Sequence, residues 1–165
     1  MTSQPLTPGQ KAPSIEFCDE SGAASSTQAF AGRHYVVYFY PRDNTPGCTR
    51  EACAFRDGWS EFARRAVPVI GVSPDKSATH ERFRAKHNLP FPLASDPDHV
   101  LAKAFGAFGE KKFMGRTFDG VHRITFLIDP QGVIAAVFAG LKPEAHAARV
   151  LEAIPETATS RHGQA

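Results

Sequence analysis

Residues 34–57 read HYVVYFYPRDNTPGCTREACAFRD, and the change of pattern in their middle decides the fold. Tyr35 to Tyr40 is an unbroken run of apolar, β-branched and aromatic side chains, as expected of a strand buried on both faces. Beyond the TPG turn the spacing becomes helical. A helix is expected from Pro46 to about Arg65, with Ala52, Phe55, Trp59, Phe62 and Ala63 on its inner side. A second buried run, Val67 to Val72, follows it and stops at Ser73-Pro74-Asp75. Two buried strands joined by a helix pair in parallel through a right-handed crossover.

The flanking sequence extends this unit. Ile15 and Phe17 alternate with polar neighbours, which suggests a short strand ending in the turn Asp19-Glu20-Ser21-Gly22. Lys76 to His87 has helical spacing with Phe83 inward. Pro90 to Leu93 is extended, and Asp96-Pro97 is suited to start a helix that runs to about Phe105. Gly106 to Gly120 is expected to be a long, glycine-rich, basic loop. Arg123–Asp129 and Val133–Phe138 read as strands around Pro130-Gln131-Gly132, a hairpin signal. Glu144 to Ile154 forms the last helix, and Glu156 to Ala165 is polar and without periodicity, a frayed tail. The class is therefore α/β, with a mixed central sheet, helices on both faces and a thioredoxin-like outline. One domain is expected over residues 1–155, with 156–165 as the tail.

Composition narrows the function. The chain has 165 residues, 42% hydrophobic and 22% charged, which are the proportions of an ordinary globular domain. A net charge of +2 is too mild to argue for nucleic acid or a membrane surface. No apolar stretch approaches the ~18 residues of a membrane span. The start, MTSQPLTPGQKAPSIEF, has no apolar segment of the secretory kind, which favours the cytoplasm. Three cysteines, an odd number in a compartment that keeps thiols reduced, argue against a disulfide framework.

Two of the three, Cys48 and Cys53, stand together at the helix start. Thr45 suits the N-cap and Pro46 the first helical position, which puts Cys48 at the third. There the backbone N–H groups lack intrahelical partners and carry the positive end of the helix dipole, so a thiolate is favoured and the thiol pKa should fall. A small buried apolar cysteine is the alternative, against which the helix start, the tight turn and the second cysteine all weigh. On an intact helix, residues five apart point about 140° apart with Cα atoms roughly 8–9 Å from each other. A disulfide needs about 7 Å or less, so this pair bonds only if the first turns unwind. Cys53 otherwise reads as a small core residue. The seven histidines form no zinc-type pair with these cysteines, and there is no C-x-x-C.

Beyond these residues the chain resembles the peroxiredoxins, and within them the peroxiredoxin Q or bacterioferritin comigratory protein group. The likeness is carried by Tyr38-Phe39-Tyr40-Pro41, Thr45-Pro46-Gly47-Cys48-Thr49, Glu51-Ala52-Cys53 and Arg56-Asp57. It continues in Phe113-Met114-Gly115-Arg116-Thr117, Asp119-Gly120 and the run from His122 to Asp129. The resemblance implies a thiol-dependent peroxidase acting on hydrogen peroxide and organic hydroperoxides without metal, haem or flavin. It implies Cys48 as the peroxidatic nucleophile and Thr45 as a hydroxyl contacting peroxide and thiolate. Pro41 would shield the sulfur and Arg123 would hold the thiolate and polarise the peroxide. Cys53 would be the resolving cysteine, forming an intramolecular disulfide with Cys48, although some members lack it. Thioredoxin or a glutaredoxin system would act as reductant, on a monomer or weak dimer. A one-cysteine peroxidase with a silent Cys53 and a redox-sensing or chaperone-like module remain the rival readings. Cys18 departs from the family pattern and reads as a strand-end residue. The basic and aromatic residues between Phe105 and Arg123 read as a loop over the site, its lysines Lys111 and Lys112 adding positive charge, rather than as a nucleic-acid patch. His122 reads as structural.

Overall fold

The computed structural model describes residues 4–18 and 22–155; most of the turn expected at Asp19–Gly22 and the tail 156–165 lie outside the described residues. A short antiparallel ribbon, β1 (Glu16–Cys18) and β2 (Ala24–Ser26), comes first. Then follow β3 (Tyr35–Phe39), α1 (Pro46–Asp57), α2 (Trp59–Arg64), β4 (Val69–Ser73), α3 (Ser77–His87), β5 (Leu93–Ser95) and α4 (Val100–Phe105). A second ribbon, β6 (Phe108–Phe113) and β7 (Arg116–Val121), leads to β8 (Ile124–Ile128), β9 (Ile134–Phe138) and α5 (His146–Ala153).

The central sheet has the order β5-β4-β3-β8-β9. β3 pairs in parallel with β4, as the crossover rule requires, and β4 with β5. On its other side β3 is antiparallel to β8, which turns back into β9. Every residue of β3, β4 and β8 is buried. Alternation along β3 sorts the core into two layers. Val36, Tyr38 and Tyr40 pack with Phe55, Phe62, Phe91 and Val150 on the α1 and α5 side. Tyr35, Val37 and Phe39 pack with Ile70, Phe105 and Phe126 on the α4 side. Each fully buried side chain of this size contributes roughly 1.5–3 kcal/mol. These layers, more than helix propensity, therefore fix where the β3–α1 connection emerges.

Four expectations change in the structure. The helix expected from Pro46 to Arg65 is two helices, broken at Gly58, where glycine's poor helix propensity makes an interruption cheap. The helix expected at Asp96 starts only at Val100; Asp96 stays outside it and accepts hydrogen bonds from the N–H groups of Leu101 and Ala102 at 3.0 and 2.9 Å. The extended segment expected at Pro90–Leu93 pairs as a strand only from Leu93 to Ser95. Finally, the expected loop from Gly106 to Gly120 contains the β6–β7 ribbon. It turns at Met114 and Gly115, with φ of 51° and 78°, the positive values that a two-residue hairpin turn demands. Most of its residues are exposed, so its strands lack the apolar alternation that marks a half-buried strand. Among the described residues no helix is long and apolar enough to cross a membrane.

Candidate active site

The β3–α1 connection carries the site. Thr45 holds the N-cap position of α1 with extended backbone angles, and Pro46 follows it, as the sequence implies. The Thr45 hydroxyl does not cap the helix, however: it donates to the carbonyl of Arg42 at 3.0 Å. The free N–H groups of the first turn thus stay without a side-chain partner, and Cys48, third in the helix, sits among them. Its side chain belongs to the core and is only 1% exposed. Pro41 is half-buried on the same connection.

Arg123 reaches this sulfur from the far side of the sheet's centre. It precedes β8, the antiparallel neighbour of β3, and this register returns it to the C-terminal end of β3 where α1 begins. Its Nη2 lies 3.3 Å from Cys48 Sγ and its Nη1 donates to Glu51 Oε1 at 2.5 Å. Gly47 eases the approach: a Cβ there would stand 3.2 Å from Arg123 Nη2, tight enough to make the guanidinium shift slightly. Burial works against the guanidinium's charge, but Glu51 and Cys48 outweigh it and the net shift in the Arg123 pKa is upward. Arg123 is therefore a permanent cation held against sulfur.

Glu51, fully buried, stands one helical turn after Cys48. Burial pushes its carboxyl up to about 8 even though Arg123 pulls it down. Behind it His146 places Nδ1 3.5 Å from Glu51 Oε2 and 2.8 Å from Thr125 Oγ1. Burial, followed by the charge of Arg123, lowers the His146 pKa to about 4. The result is a chain of contacts, Cys48–Arg123–Glu51–His146–Thr125, linking α1, β8 and α5. It can hold a sulfur anion and present an N–H donor to an atom bound next to it.

A model of the AhpC/TSA family matches residues 8–137. The chain belongs to this family. It is 44% identical over 154 residues to peroxiredoxin Bcp of Escherichia coli K12, covering 93% of this chain and 99% of that one. It is 43% identical over 148 residues to peroxiredoxin Bcp of Bacillus subtilis, covering 90% and 94%. Among solved structures, the bacterioferritin comigratory protein of Xanthomonas campestris superposes with a TM-score of 0.79 at 36% identity, covering 87% of this chain and 92% of that chain. The protein is thus a peroxiredoxin of the Bcp or peroxiredoxin Q group, a thiol peroxidase with a thioredoxin-like fold.

The geometry of this peroxiredoxin brings Cys48, Arg123 and the Thr45 turn together. Cys53 lies farther along the unbroken α1, half-buried, and all three cysteines are free. Cys18 is exposed on β1. Lys111 is held over the site's edge, its Nζ donating to the Val121 carbonyl at 2.8 Å. Its pKa is lowered by burial and then by Arg123, while Cys48 opposes the shift. Lys112 is exposed on the same strand.

Sequence reading assigned no role to Glu51 or His146. The one available signal for Glu51 was a carboxylate on the inward face of a helix; His146 carried none, because its partners lie on other elements, Glu51 on α1 and Thr125 on β8. A second buried network stiffens the connection itself. The Tyr40 hydroxyl donates to Asp43 Oδ1 at 2.5 Å, and Asp43 Oδ2 lies 2.6 Å from His80 Nδ1. Asp43, Asp75 and His80 place ligand-type atoms within 4.8 Å of one another. Those atoms are already engaged, with Asp75 Oδ2 accepting from Ser73 and from the Asp43 N–H at 2.7 Å each. These hydrogen bonds tie the β3–α1 connection to β4 and α3.

His146 gives a pH prediction. Its depressed pKa keeps it neutral when folded, so its contribution is present above about 6.5 and is lost as pH falls towards about 4. Glu51, with its raised pKa, opposes this over part of the range, so a difference between variants is the useful readout. Thermal melts from pH 7 to 4 should show a smaller loss for His146→Gln than for the parent; parallel losses would remove His146 from the acid limb.

Proposed function

We propose that this peroxidase reduces hydrogen peroxide and organic hydroperoxides at Cys48 and resolves the resulting sulfenic acid with Cys53. The observation that carries the reading is Arg123 Nη2 at 3.3 Å from Cys48 Sγ, at a helix start whose N–H groups have no side-chain cap. Attack of the Cys48 thiolate on the proximal peroxide oxygen forms an S–O bond and breaks O–O. The distal oxygen leaves with the electron pair and takes a proton to become water or an alcohol. Arg123, always protonated and rigidly forked, stabilises the charge growing on that oxygen. In this reading the Thr45 hydroxyl, which donates to the Arg42 carbonyl at 3.0 Å, exchanges that partner for peroxide, and Pro41 restricts water at the same mouth. Use of organic hydroperoxides is supported by the alkyl peroxide reduction activity named for the X. campestris relative.

The Cys48 sulfenic acid then condenses with the Cys53 thiol: S–S forms, S–O breaks and water departs. Since α1 is continuous over both cysteines, its first turns must open for this step. An external dithiol, thioredoxin or a glutaredoxin system, restores both thiols by disulfide exchange. The enzyme works in the cytoplasm as a monomer or weak dimer.

A Cys53→Ser variant tests the route. The first equivalent of peroxide should be consumed at the parental rate, while thioredoxin-supported turnover falls to a small residue. Full turnover in that variant would instead indicate one-cysteine catalysis. A parent protein that consumes one equivalent and then stops, with reductant present, would indicate a sensor rather than an enzyme cycling by this path.

A further inference from the structure

We propose that His87 is the general base of the resolving step, accepting the Cys53 thiol proton at Nδ1. This rests on the reading that Cys53 resolves Cys48. His87 ends α3, and its Nδ1 lies 3.9 Å from Cys53 Sγ, within hydrogen-bonding reach of sulfur. Two contacts hold it there. Its ring meets the edge of Phe83 at 5.1 Å, and its carbonyl accepts from Arg56 Nη1 at 2.8 Å. Arg56 belongs to the same helix as Cys53, one turn on, so thiol and imidazole are tied together from both sides. The remaining ring nitrogen, Nε2, is buried and has no hydrogen-bond partner among the described residues.

The charged and titratable groups around His87 are Lys86 on its own helix and Arg56 and Cys53 on α1. Burial first, then Lys86 and Arg56, lowers its pKa, which leaves the ring in its basic, neutral form at neutral pH. A neutral imidazole accepts a thiol proton; an imidazolium does not.

The pair also survives the opening of α1. Phe55 is fully buried and stacks on Tyr38 at 4.7 Å, with Phe62 and Phe91 also against it. Phe55 and Arg56 anchor the C-terminal half of the helix while the turn bearing Cys48 is freed. Cys48 thus travels to Cys53, and Cys53 stays beside His87. In balance, His87 takes the proton and the Cys53 thiolate attacks Cys48 Sγ. The S–S bond forms as S–O breaks, and the departing hydroxide is protonated to water. The oxidising equivalents come from the peroxide already reduced.

Rapid mixing with one equivalent of hydrogen peroxide, acid quench and mass spectrometry separates the two steps. In His87→Gln and His87→Ala, sulfenic acid should form at the parental rate. Disulfide formation at pH 7 should slow by roughly 10-fold or more. The deficit should close as pH approaches ~9, where a thiol ionises without help. Unchanged disulfide formation in both variants overturns the assignment, as does a slowing of equal size at every pH, the mark of mere packing. Failure of the parent itself to form the Cys48–Cys53 bond would instead overturn the resolving role of Cys53, a distinguishable result.

Discussion

A Cys48→Ser variant is expected to lose peroxide consumption almost completely, by ~10⁴-fold or more, as for other covalent catalysts stripped of their nucleophile. The physical reason is that a serine hydroxyl keeps its proton at neutral pH and is a far poorer attacking group than a thiolate. The replacement is nearly isosteric, and Arg123 Nη2 can donate to a hydroxyl oxygen where it now meets sulfur at 3.3 Å. Stability should therefore stay within about 1 kcal/mol of the parent, the usual range for a substitution that creates no cavity and strands no charge. Stopped-flow peroxide consumption and a thermal melt on the same preparation check both halves. Retention of more than a trace of activity, with Cys53 and Cys18 as the only thiols left, would displace Cys48 from the centre of the reaction.

The second large effect concerns Arg123. Replacement by methionine should lower kcat/KM by ~10²–10³, the range found when an oriented donor to a developing anion is removed. Lysine should rescue little of it, because a single ammonium cannot bridge Glu51 Oε1 and Cys48 Sγ as the two guanidinium nitrogens do. Stability should fall as well. Glu51 is fully buried, and stripping a buried charge of its partner costs up to ~3–5 kcal/mol unless the charge is neutralised.

The pH dependence reveals which happens. Burial already raises the Glu51 carboxyl to about 8, and Arg123 is what restrains it, so its pKa in Arg123→Met should rise further. A carboxyl with a raised folded pKa is most stabilising below the unfolded carboxylate range, near 4.3, and loses that contribution as pH climbs through the folded value. The two proteins should therefore lose stability in parallel up to about 8, where both folded carboxyls keep their protons, and the variant should fall behind only above that value. Adding Glu51→Gln should flatten this difference. A variant whose melting temperature, relative to the parent, improved as pH rose would contradict the role given to Glu51.

Part of this protein was legible from local pattern. The buried run at Tyr35–Tyr40 and the turn TPG before Cys48 are short-range signals. A strand buried on both faces and a helix start each need only their own few residues to declare themselves. Family motifs then pointed to Arg123 and Cys53. The β6–β7 ribbon escaped because, with solvent on both sides of much of it, nothing forces its side chains to alternate. The helix break at Gly58 escaped because Phe55 and Phe62 keep helical spacing across it.

What tertiary structure alone decided is the neighbourhood of the sulfur. Arg123 is 75 positions from Cys48 along the chain and reaches it only because β8 lies antiparallel beside β3. Glu51 became a buried partner, and His146 its backing, only once α5 closed over α1. His87 met Cys53 only through the packing of α3 against the same helix. Apolar periodicity reports which side of an element faces inward. The contacts that Cys48 and Cys53 make depend on which elements become neighbours, and that is settled by sheet order and packing rather than by any local run of residues.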